Sequence, residues 1–135
     1  MVLVDSNILI DVFTDDPVWG DWSFNQLVEQ ARRDTLGINS IIYAEISIAF
    51  STIIKLEAAL APLNLIRSEL PYQAGFLAGK AFLQYKHTAG VGQKQSPLPD
   101  FYIGAHAATA KFSLMTRDIN RYRTYFPEVN LICPR

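Results

Sequence analysis

The chain has 135 residues, 50% of them hydrophobic and 12% aromatic, which predicts one compact domain over 1–135, with roughly two thirds of the surface exposed by the unfolded chain buried on folding. A net charge of −1 argues neither for nor against nucleic acid, but up to Arg67 there are 4 basic against 9 acidic residues (−5), and from Ser68 onward 8 against 4 (+4); that asymmetry is expected if one part supplies a metal pocket and another meets an anion. A single cysteine, Cys133, excludes an internal disulfide, no basic leader precedes the first apolar residues, and no apolar run reaches the ~18 residues of a membrane span, so a cytoplasmic protein is expected.

Val2, Leu3 and Val4 are too few for a helix and do not alternate in polarity. They read as a strand buried on both faces, the pattern of a parallel sheet. Asp5 follows at its carboxyl end, where open α/β sheets bind ligands. A plain helix cap would also explain Asp5, so its meaning depends on whether other carboxylates converge there. Ser6 and Asn7 can cap a helix beginning at about Ile8.

Asp15-Asp16-Pro17 predicts the next helix, with Pro17 at its first position and Trp19, Trp22, Leu27, Val28 and Ala31 as an inward stripe. Asp11, Asp15, Asp16 and Asp21 are expected to face water; the helical neighbours of Asp11 are mostly polar, which puts it at the surface or behind a site. Leu36 to Asn39 is a second strand, and Ser40 caps a helix from Ile41 to about Phe50. On that helix Glu45 shares its face with Ile41, Ile42, Ile48 and Ala49. An ionised Glu facing a core asks for a metal or a cation, unless it reaches out from the helix edge.

With the helix expected over Ser51 to Ala61, this run is apolar nearly all round, so its cover is expected from another chain. Leu63, Leu65 and Ile66 form a short strand. Pro71 opens a helix to about Lys86, whose Ala74/Ala78 and Gly75/Gly79 faces suit close packing on the sheet. Thr88 to Pro99 is a polar loop that ends in Asp100, by pattern the N-cap of a helix from Phe101 to Lys111. Phe112 to Thr116 reads as a strand, and Arg117-Asp118 follow it as Asp5 follows the first. Arg121 and Arg123 come next, and Leu131 to Cys133 is the last strand, with Cys133 a small buried hydrophobe.

Asp5, Glu45, Asp100 and Asp118 are the candidates for a common site. Two unit charges about 4 Å apart repel by roughly 4 kcal/mol at an effective dielectric near 20, so such a cluster is tolerable chiefly around a divalent cation. All-oxygen ligands without paired His or Cys select Mg²⁺ or Mn²⁺ over zinc. His87 and His106 are isolated, His106 reading as a packed core histidine. Cys133 lacks a base, and no phosphate loop or nucleophile elbow is present. An acidic metal site beside Arg117, Arg121 and Arg123 suits phosphodiester hydrolysis, the arginines holding the phosphate backbone, although they read equally as a solvated helix face.

Val-Asp-Ser-Asn-Ile-Leu-Ile-Asp at the start, Tyr-Ala-Glu-Ile around Glu45, Leu-Pro-Asp-Phe-Tyr-Ile-Gly-Ala-His around Asp100 and Leu-Met-Thr-Arg-Asp-Ile-Asn-Arg-Tyr around Asp118 resemble, in order and over the whole chain, the acidic motifs of the PIN-domain family, in particular VapC-type toxins. The resemblance implies a three-layer α/β/α sandwich with a mainly parallel sheet of four or five strands. It also implies Mg²⁺- or Mn²⁺-dependent endoribonuclease activity, homodimerisation and a small antitoxin partner. Asp5, Glu45, Asp100 and Asp118 would be the metal-site carboxylates and Ser6, Asn7 and Thr116 supporting polar groups. The apolar helices from Ile41 to Leu60 are the expected antitoxin contact. Other readings are an RNA-processing nuclease outside a toxin-antitoxin pair, a signalling receiver domain, disfavoured by the lack of an adjacent acidic pair after the first strand, and a non-catalytic binding module.

Overall fold

The computed structural model describes residues 1–89 and 98–135, so most of the expected Thr88–Pro99 loop lies outside the described residues. Five short parallel strands, β1 (Val2–Val4), β2 (Leu36–Ile38), β3 (Ile66–Arg67), β4 (Ser113–Met115) and β5 (Leu131–Ile132), form one sheet in the order β3-β2-β1-β4-β5. The chain steps from β1 outward to β2 and β3, then returns to lay β4 on the other side of β1. Right-handed crossovers therefore place α1 (Ser6–Phe13), α2 (Gly20–Arg33), α3 (Ser40–Ser47) and α4 (Ile53–Leu60) toward one face, and α5 (Tyr72–Ala89), α6 (Leu98–Ala110) and α7 (Ile119–Tyr125) toward the other. The contacts agree, α1 packing on α2 and α3, and α6 on α5 and α7.

The apolar run of β1 is buried on both faces, as is Leu36–Ile38. Around it the core is built from Ile8, Leu9, Ile42, Ile46, Ile103, Leu114, Phe101, Tyr122 and Phe126. No helix among the described residues is long and apolar enough to cross a membrane.

Several boundaries differ from expectation. Asp5 itself caps α1, its Oδ1 accepting from the Ser6 N–H at 2.8 Å, so the helix begins at Ser6 rather than Ile8. Asp15 takes a left-handed φ of 50°, leaving Pro17 in a turn and starting α2 only at Gly20. Of the expected stripe Leu27 is buried, whereas Val28 and Ala31 are exposed; Gly20 and Ser23 take their places inside. Asn39, not Ser40, caps α3, accepting from the Ile42 N–H at 2.9 Å.

The helix bearing Glu45 ends at Ser47, not Phe50. Ile48 is therefore outside it and 87% exposed, so Glu45 sits at a half-buried edge rather than facing the core. Ala74 and Ala78 are buried, and α5 packs mainly on α6 rather than on the sheet. Leu98 and Pro99 are already helical, so Asp100 lies in the first turn of α6 and is not its cap; a proline is tolerated there because first-turn N–H groups have no intrahelical partner. Cys133 is partly exposed.

Candidate metal centre

The chain reverses direction across the sheet between β1 and β4, which makes the carboxyl ends of these strands the switch point where α/β sheets open a crevice. Asp5 leaves β1 and Thr116 leaves β4 at the same level, the Asp5 N–H donating to Met115 O at 2.9 Å. The Thr116 hydroxyl donates to Asp5 Oδ2 at 2.8 Å. Asn7, in the first turn of α1, donates to Thr116 Oγ1 at 3.3 Å and to Asp5 Oδ2 at 3.4 Å, and its own Oδ1 accepts from the Arg117 N–H at 3.3 Å. Thr116 Oγ1 also accepts from the Asp118 N–H at 3.0 Å, so one hydroxyl joins both strand ends.

The four candidate carboxylates are linked by polar contacts and by charge. Ser6 Oγ reaches Glu45 Oε1 at 2.9 Å and Asp5 Oδ1 at 3.4 Å. The Tyr122 hydroxyl donates to Asp5 Oδ2 at 3.1 Å, and the Asp100 charge acts on the same phenol. Arg121 Nη1 lies 2.5 Å from Asp100 Oδ2 and 4.0 Å from Asp118 Oδ2. Glu45, Ser6, Asp5 and Tyr122 thus form one run, Asp100, Arg121 and Asp118 a second, and the charges of Asp100 and Asp5 couple the two.

Burial pushes the Asp5 carboxyl up to about 7; the Thr116 hydrogen bond pulls it down, and the charges of Asp100 and Glu45 push it further up. Glu45 and Asp100 are raised too, in both cases first by burial, with Ser6 and Arg121 respectively opposing. Desolvation, with Asp5 beside it, raises the Tyr122 phenol well above its ordinary range. Three neighbouring carboxyls all shifted upward describe a desolvated pocket that disfavours their ionised forms.

Among the described residues no three His, Cys, Asp or Glu side chains stand, as placed, close enough to hold one ion. The donor set still fits a hard cation: it is all oxygen, its carboxyls interact electrostatically, and a guanidinium already stands against Asp100 in a cation's place.

Two of the three arginines expected to hold phosphate are engaged inside the protein. Arg117 grips Asp11, and Arg121 pairs with Asp100. Arg123 is exposed. Asp11, expected to face water, is instead 3% exposed and takes Arg117 on both oxygens and Ser23 Oγ at 2.7 Å.

Tyr122 joins the site without having stood out in the sequence. Its only signal is an aromatic at i+4 from Asp118, on the face that a short helix after β4 turns toward the strand ends.

A family model described as PIN domain matches residues 2–127. Among solved structures, VapBC2 from Rickettsia felis bound to a DNA fragment from its promoter is similar at TM-score 0.74 and 19% identity, over 100% of each chain. A toxin-antitoxin complex from Klebsiella pneumoniae is similar at TM-score 0.71 and 19% identity, over 100% of this chain and 98% of the other. FitAcB from Neisseria gonorrhoeae is similar at TM-score 0.67 and 19% identity, over 98% and 96%. At these identities the likeness is one of fold. No curated protein sequence matches significantly.

Proposed function

The chain belongs to the PIN domain family, and on that premise we propose that it is a cytoplasmic, metal-dependent endoribonuclease, the toxin of a toxin-antitoxin pair. The observation that carries the reading is the set of polar contacts and charge interactions joining Glu45, Asp5, Asp100 and Asp118 at the switch point of the sheet. Asp5, Glu45, Asp100 and Asp118 would hold Mg²⁺ or Mn²⁺. When bound, such an ion supplies Lewis-acid stabilisation of the charge that builds on the phosphate and its leaving oxygen.

The chain's own groups prepare that site. Thr116, Asn7 and Tyr122 fix the Asp5 carboxyl, and Ser6 aims Glu45 at the same notch. With its pKa pushed up to about 7, Asp5 is about half protonated at neutral pH, and a bound ion would favour its ionised form. Arg123, exposed on α7, would meet the RNA backbone.

Partner binding belongs to the same reading. Ile48, Ile53 and Ile54, on and between α3 and α4, are 87%, 68% and 77% exposed, an apolar surface within Ile41 to Leu60 suited to a small antitoxin. Ile48 and its neighbours are uncovered as a monomer would leave them, and the fold's relatives include toxin-antitoxin complexes. A homodimer is proposed as well; light scattering of the purified chain tests it.

The deciding experiment incubates purified protein with RNA in Mn²⁺, in Mg²⁺ and in chelator. Cleavage is expected only with metal, and Asp5→Asn is expected to abolish it with unchanged circular dichroism. A fully active Asp5→Asn would sink the nuclease reading. Co-purification with the product of a small neighbouring open reading frame separates a toxin from a nuclease outside such a pair.

A further inference from the structure

Among the described residues, one cation of the chain's own, Arg121, is paired within the acidic notch. Arg121 sits three residues after Asp118 on α7, and its guanidinium lies between Asp100 and Asp118, 2.5 Å from the first and 4.0 Å from the second. Its carbon stands 5.9 Å from the Tyr85 ring centroid, and only 24% of the side chain is exposed. Asp5 and Glu45, by contrast, are held by the neutral donors Ser6, Thr116 and Tyr122; among the described residues no ion pair reaches either.

We propose that Arg121 is a built-in counter-ion that stands at Asp100 in place of the divalent cation and has to be displaced when the ion binds, so that it sets this chain's metal affinity. The inference rests on the metal reading above and goes beyond it. The guanidinium, 2.5 Å from Asp100 Oδ2, competes with an ion for that oxygen. A fixed positive charge a few ångströms from a divalent ion also repels it, and the half-buried setting limits screening. At the Asp100 end the guanidinium offsets one of the two carboxylate charges. Arg121 thereby serves the ion site rather than the RNA backbone, and the notch is guarded against binding metal weakly and continuously.

Mn²⁺ titration of the intact chain, read by the electron paramagnetic resonance of free Mn²⁺, tests the proposal. Arg121→Gln is expected to bind Mn²⁺ about tenfold or more tightly than wild type, the charge having been removed from beside the ion. Arg121→Lys, which keeps the charge, should stay within about threefold of wild type, and the exposed Arg123→Gln should do the same. Should Arg121→Gln lose its circular dichroism spectrum, Arg121→Met, which keeps the stem against Tyr85, takes its place with the same expectation. A merely structural ion pair would lower thermal stability and leave affinity unchanged or weaker. Wild-type binding that depends on Asp5, with no tightening in either neutral variant, overturns this inference alone. Wild-type binding that is absent, or untouched by Asp5→Asn, overturns the metal reading and this inference with it.

Discussion

Arg117 grips Asp11 in a two-pronged pair, Nε 2.6 Å from Oδ2 and Nη2 2.8 Å from Oδ1, joining the end of β4 to the middle of α1 across 106 residues of sequence. The Asp11 side chain is 4% exposed and that of Arg117 27%, and the guanidinium lies 5.2 Å over the Trp19 ring. The pair fixes the turn that carries Thr116 and Asp118. Arg117→Ala leaves a buried carboxylate with only Ser23, and is expected to destabilise by about 3 kcal/mol, the range for breaking one side of a buried pair. Arg117→Lys should recover only part, because an ammonium cannot supply the fork. Urea denaturation reads both; a loss below about 1 kcal/mol for Arg117→Ala would make this an ordinary surface bridge.

Tyr122→Phe removes the hydroxyl that donates to Asp5 and preserves a ring that is 0% exposed. Asp5 Oδ2 keeps Thr116 and Asn7 as donors, so the loss is that of one hydrogen bond to a carboxylate, about 1.5–3 kcal/mol. If that loss falls on the geometry of Asp5, kcat for RNA cleavage should fall roughly 10- to 100-fold with KM little changed. Wild-type kcat in a folded Tyr122→Phe would show that the hydroxyl does not position the site.

What the sequence disclosed and what it hid divide along the range of the interaction. Asp5 and Asp118 were legible because each follows an apolar run whose burial is a local property, and the parallel sheet followed from the same runs. Asp11 was misplaced because its polar neighbours at helical spacing suggested water, while its partner arrives from residue 117. Glu45 was placed on an apolar face because the helix was carried past its true end at Ser47, which put the exposed Ile48 among its neighbours. Asp100 was placed at a cap because the proline before it looked like a boundary, although Pro99 is helical. The bridging roles of Ser6, Tyr122 and Arg121 exist only once α3, α6 and α7 meet over the strand ends. No periodicity along a single helix contains them.

Gly104 tests how closely α6 must approach α7. A Cβ built on it would collide with the Phe126 ring, reaching Cδ2, Cε2 and Cγ. Phe126 is 1% exposed and packed near Phe101, so the ring has little room to withdraw. Gly104→Ala gains helix propensity of about 1 kcal/mol but is expected to lose roughly 1–3 kcal/mol through overpacking. Thermal denaturation should show a net decrease; an increase in midpoint would mean that the ring moves freely.

The metal-free protein should be more stable at mildly acidic pH than at pH 8, the reverse of the usual carboxylate effect. Burial raises Asp5 from 3.8 to about 7, so between those values the folded state keeps a proton that the unfolded chain releases. The stabilising contribution is therefore full below the unfolded value, declines as pH rises and is gone above about 7. Its ceiling is about 4 kcal/mol, since each tenfold gain in proton affinity on folding is worth about 1.4 kcal/mol. Glu45 and Asp100, also raised, act in the same direction. His106 acts in the other: burial lowers its pKa, and its Nδ1 lies 3.0 Å from Asn39 Nδ2, so the stability it confers is present above about 6.5 and lost as pH falls. Comparing wild type with Asp5→Asn in chelator isolates the carboxyl, since His106 is common to both. The stability of wild type relative to Asp5→Asn should fall steadily from pH 5 to pH 8, and saturating Mn²⁺ should restore it at pH 8 by binding the ionised form. A difference that stays flat across that range would mean that Asp5 ionises normally in the folded protein, and that its burial does not hold the proton.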